Sequence, residues 1–114
     1  MGDLTAKDIF RSTPQIAAER KDFIIVQSDR RGNPPLVADH LSPCATMNPG
    51  LMLMSQGCNA LDYYAYWKLF DALTDFAFHG KHKEYALGNT PEQRFMGHWS
   101  DGTPVKELVV KKEP

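Results

Sequence analysis

The apolar positions of this chain change rhythm from one stretch to the next, and each rhythm predicts a different element. Near the start, Thr5 can cap a short helix, with Asp8 three residues on and Ile9 and Phe10 behind it. Thr13 followed by Pro14 starts a second, alanine-rich helix running from Gln15 to about Arg20. Phe23-Ile24-Ile25-Val26-Gln27 is β-rich and does not alternate, which predicts a strand buried on both faces, as in a parallel sheet. A polar loop follows, Arg30-Arg31-Gly32-Asn33-Pro34-Pro35, and residues 36–45 can hold a helical turn that carries Asp39 and His40. Asn48-Pro49-Gly50 places a loop over 46–57.

The clearest periodicity lies between Ala60 and Phe78. Tyr63, Tyr66, Trp67, Phe70, Leu73 and Ala77 recur at helical spacing, and Tyr64, Leu69, Phe76 and Phe78 widen the apolar face. Asn59 supplies a cap, Asp62 an acid in the first turn, and Gly80 a stop. The expectation is one long apolar helix, buried on most sides. Thr90-Pro91-Glu92-Gln93 is a second strong helix start, with Thr90 as cap and Gln93 closing a capping box. Asp101-Gly102 predicts a tight turn before an edge strand over Val105–Val110, and the last four residues read as frayed. Two strands are marginal in water. They require each other, a second copy of the chain, or a sheet supplied by a missing complementary chain.

Composition narrows the classes. The 114 residues suit a single domain over 1–114. With 13 basic against 14 acidic side chains, no bulk field draws the chain to nucleic acid or an anionic membrane. No apolar run approaches the length of a membrane span, and Met1-Gly2-Asp3-Leu4 has neither the basic start nor the apolar stretch of a secretion signal. The expected location is cytoplasmic. Cys44 and Cys58 are too few for a disulfide scaffold and too far apart for a C-x-x-C motif. They are expected as free, partly buried thiols, and a bridge between them would require an oxidising compartment.

Motifs that carry chemistry are sparse. There is no P-loop, no G-x-G-x-x-G, no H-E-x-x-H and no G-x-S-x-G. Ser55 in Met54-Ser55-Gln56-Gly57 comes nearest to a nucleophile elbow but lacks the preceding glycine. His40 is the titratable residue of most interest, with Asp39 beside it and Asp29 at the end of the first strand. His79 and His82 read as cations near a helix C-terminus, not as metal ligands, and no cofactor is expected. Tyr63, Tyr66 and Trp67 either line an apolar pocket or belong to the core.

Residues 22–29 (Asp-Phe-Ile-Ile-Val-Gln-Ser-Asp), with Gly32-Asn33-Pro34-Pro35-Leu36-Val37-Ala38-Asp39-His40, resemble the last core strand and histidine loop of α/β-hydrolases, those near the dienelactone hydrolases most of all. Residues 60–73 resemble the helix after that histidine, and 85–97 with 99–102 resemble the tail, so the likeness spans 22–102. It implies that His40 is a general base acting on a small ester or lactone, with Asp29 near the site and Tyr63 and Trp67 against the substrate. The family's nucleophile elbow and orienting acid have no counterpart here, so the nucleophile is unassigned. The fold expected is an incomplete α/β-hydrolase-like C-terminal segment: two strands, one long helix at about 60–78, and short helices. The expected function is an ester or lactone hydrolase-related protein. The alternative is a non-catalytic interaction module or homo-oligomer that uses the 60–78 helix.

Overall fold

In the computed structural model, residues 2–39, 42 and 58–114 are described. Helix α1 covers Gly2–Arg11, a 3-10 turn Ala18–Arg20, and strand β1 Phe23–Ile25. A π-helical segment, Asp62–Trp67, runs into helix α2, Lys68–His79. A 3-10 turn at Lys83–Tyr85, helix α3 at Pro91–Arg94 and strand β2 at Val109–Lys111 complete the order. The architecture is thus loosely α/β, with mixed helices beside a two-stranded sheet.

The sheet corrects the expectation of parallel pairing. β1 and β2 are antiparallel, with Phe23 opposite Lys111, Ile24 opposite Val110 and Ile25 opposite Val109. In the run at 23–27 one face packs on the core, and on the other Phe23 is partly covered while Ile25 stays 37% exposed. Phe23 meets Phe10 of α1 edge to face, with ring centroids 6.1 Å apart. Ile24 and Val26 pack on the core made by Leu36, Leu61, Ala65, Met96, Val105 and Leu108. A strand with apolar side chains on both faces reads like a strand inside a parallel sheet even where one face is only partly covered. Of the alanine-rich helix expected from Gln15 to Arg20, the 3-10 turn is what forms. Lys21 fastens α1 to this region by donating to the Phe10 and Thr13 carbonyls at 3.0 and 2.8 Å.

The long apolar helix does not exist as expected. Its start does follow the local signal: the Asn59 side chain accepts from the Leu61 amide, and Asp62 accepts from the Asn59 amide, each at 2.9 Å. After residues 60 and 61, which are α-helical, Asp62–Trp67 wind as a π-helix before α2 begins. The wider π turns shift the side-chain rotation and break the continuous 3.6-residue stripe. Leu61, Ala65 and Ala72 are buried and Tyr66, Leu69 and Phe76 partly so. The other side faces outward, with Phe70 67% and Phe78 80% exposed. Gly80 ends α2 in the left-handed region, at φ 68°.

The buried carboxylate of Asp29 ties three distant segments together. Its backbone forms an antiparallel bridge to Leu36, with both N–H···O distances 2.8 Å. One carboxylate oxygen accepts from the Arg31 amide at 3.2 Å. The other accepts from Trp99 Nε1 at 3.1 Å and from the Lys106 amide at 2.9 Å. Gly32 lies against the Trp99 ring so closely that a Cβ there would stand 2.2 Å from Cζ3. The turn expected at Asp101-Gly102 closes beneath this contact, with the Trp99 amide donating to Thr103 O at 2.8 Å.

Hydrogen bonds to the Lys106 amide, Trp99 and the Arg31 amide hold the Asp29 carboxyl below its ordinary value of 3.8, against the opposing effect of burial. A lowered carboxyl pKa contributes stability above the ordinary value, and that contribution is lost as pH falls through the folded-state value. Asp29→Ala leaves three donors without their acceptor and should cost about 3 kcal/mol or more in urea unfolding. Asp29→Asn should flatten the loss of stability that the parent chain shows below about pH 4.

Candidate functional site

A groove of about 460 Å³ opens where the π-helical segment and the start of α2 face the 3-10 turn and α3. Tyr63, Tyr64, Tyr85, Pro91 and Phe95 form its walls, with Lys68 and Glu92 as the charged members. Tyr64 and Phe95 stand nearly perpendicular, with centroids 5.5 Å apart. Tyr64 is held in this place by Gly97, which takes φ 82° and whose Cβ position lies 2.7 Å from the Tyr64 ring. A side chain at residue 97 would displace the wall.

Lys68 braces the groove. Its Nζ donates to the carbonyl oxygens of Glu92, Gln93 and Phe95 at 2.9, 2.8 and 2.7 Å. These carbonyls lie in and just after the short helix α3, where backbone acceptors are otherwise left over. Burial lowers the Lys68 pKa from 10.5 to about 8.

Gln93 fixes the far side. Thr90 caps α3 by accepting from the Gln93 amide at 3.0 Å, as the sequence predicts. The reciprocal arm differs from a capping box: Gln93 Oε1 accepts from the Asn89 amide at 2.7 Å and not from that of Thr90. Gln93 Nε2 donates to Ala86 O at 2.7 Å and to Asp22 at 3.0 Å, and Asp22 in turn pairs with Lys112 Nζ at 2.7 Å. α3 is therefore anchored to the segments flanking both strands.

The residues singled out from the sequence are dispersed. His40, Ser55 and Cys44 lie outside the described residues, as does the loop placed over 46–57. Asp29 is the structural tie described above, with both oxygens engaged. Tyr63 does line the groove, and Trp67 packs edge-on against it at 4.8 Å. Cys58 is disulfide-bonded, where a free thiol was expected. His79 and His82 both turn Nδ1 toward Asp75, the former at 3.0 Å, and these bonds hold the Asp75 carboxyl below its usual range. Among the described residues, no group of three or more His, Cys, Asp or Glu side chains is arranged to hold a metal ion. No helix among them is long and apolar enough to cross a membrane.

Sequence reasoning missed Tyr64, Lys68, Tyr85, Glu92 and Phe95 as a group. A weak signal existed in the aromatic pair Tyr63-Tyr64 placed one turn before a lysine.

Lys68→Met should lower unfolding stability by about 1–3 kcal/mol, because three carbonyls lose a charged donor. NMR titration of the Lys68 side chain should find a midpoint near the value of about 8 that burial sets. Between that value and 10.5 the unfolded chain binds the extra proton, so the Lys68 contribution should favour folding increasingly as pH rises. Denaturation midpoints of parent and Lys68→Met chains on either side of pH 8 check the sign.

Comparison of the chain with protein-family models, with curated proteins and with solved structures finds no match, so its function is argued from the groove.

Proposed function

We propose that this chain is a non-catalytic binding module whose groove takes an apolar or aromatic group of another molecule. The observation that carries the reading is the groove itself: five apolar or aromatic walls around a lysine that is already bonded to three carbonyls. Ligand sites are commonly concave and mostly apolar with a few placed polar groups. The same element extends the apolar surface beyond the groove through Trp67, Phe70 and Phe78.

Three described side chains of nucleophile type are already engaged, which supports the binding reading. Ser42 is buried, with Oγ donating to Asp39 O at 2.7 Å and bonded to Tyr66 Oη at 2.5 Å. Ser28 Oγ accepts from the Ala38 amide at 2.8 Å, and Cys58 is in a disulfide. An ester or lactone hydrolase would rest on His40 together with a nucleophile that the sequence does not assign.

Indole is a suitable probe in a titration followed by ¹H–¹⁵N spectra. Shifts should gather at residues 63–68 and 85–95, and Tyr63→Ala should weaken binding roughly threefold to tenfold. Shifts scattered over the whole chain, or none at all, would remove this reading. Turnover of an unactivated ester by the parent chain that disappears in His40→Ala would replace it with the hydrolase.

A further inference from the structure

We propose that the groove is a site for an organic cation bearing N-methyl groups, held by the Tyr63, Tyr64, Tyr85 and Phe95 rings with Glu92 as counter-charge. This rests on the binding reading above and names the ligand class. Each of these four residues is between 36% and 58% exposed, although the Tyr63, Tyr85 and Phe95 rings also touch Trp67, His82 and His98. The perpendicular Tyr64 and Phe95 rings form one corner of the groove. Aromatic rings attract a cation through their quadrupole, and several rings around one charge add their attraction.

The polar groups decide which cation fits. A primary ammonium needs acceptors for three N–H groups; the Glu92, Gln93 and Phe95 carbonyls already accept from Lys68, and the Glu92 carboxylate alone would satisfy only part of that need. Besides Lys68 the lining offers four rings, three of them bearing a hydroxyl, and one carboxylate. That combination suits a cation with no N–H bonds to satisfy and a thin hydration shell, as a trimethylammonium group has. Glu92 is exposed, and among the described residues no ion pair engages its carboxylate. The Lys68 charge is met by three carbonyl dipoles, which leaves the Glu92 carboxylate to face the ligand. Asp71 and Asp75 lie farther along α2 and carry the same sign as Glu92.

The test is calorimetric and NMR titration of the full chain with choline and with 3,3-dimethylbutan-1-ol, its neutral carbon isostere. Choline should bind roughly threefold to thirtyfold more tightly than the isostere. Its N-methyl protons should show contacts to the Tyr64 and Phe95 rings. Glu92→Gln should remove much of the preference for choline over the isostere. Equal affinity for the two compounds overturns the cation site and leaves an apolar groove. Absence of choline binding overturns it as well; if indole then still shifts residues 63–68 and 85–95, the binding module stands without this ligand class. If indole fails too, both fall.

Discussion

The three N–H bonds that converge on the Asp29 carboxylate hold together a fold whose sheet could not stand by itself. β1 and β2 share three residue pairs. A ribbon that short gains little from its ladder and depends on what packs against it. Asp29 supplies the cross-bracing: it takes in the 30–35 loop through Arg31, the 99–103 turn through Trp99, and the approach to β2 through Lys106. Because all three partners are donors and the site is nearly closed to water, the arrangement works with an ionised acid and fails with a protonated one.

The same device recurs through the chain. Asp22 accepts from Gly88, Gln93 and Lys112, and Lys68 donates to three carbonyls near α3. Small domains bury a limited fraction of their surface, so each such bond carries more of the total than it would in a larger core. One consequence reaches function. Polar side chains with the chemistry to act on a substrate are, at Asp29, Ser42 and Lys68, committed to holding the chain in shape. Aromatic rings on the outward side of the π-helical segment and α2 are left with their surfaces open. Rigid braces behind exposed rings hold each wall in place before any ligand arrives, which is what the proposed binding role requires.

Local signals were legible where a few adjacent residues decide the outcome. Thr90 and Pro91 start α3, Asn59 caps the segment before the π-helix, Gly80 stops α2, and Asp101-Gly102 turns the chain. The groove was legible at Tyr63 alone. Tyr85, Glu92 and Phe95 are some twenty to thirty residues further along, and no period connects them to it. The expectation that the aromatic stripe would be buried failed because periodicity reports which residues share a face, not whether anything covers that face.

By itself, then, the sequence determined the positions of caps, turns and apolar runs, because these follow from backbone sterics and hydrogen bonds within a few residues. It also determined a near-neutral charge balance. Only the tertiary structure decided that 23–25 pairs antiparallel with 109–111, that Asp29 serves as a tie, and that Lys68 meets the carbonyls around α3. Those outcomes depend on contacts between residues far apart in the chain, whose partners are selected by packing and by the need to satisfy buried polar groups together.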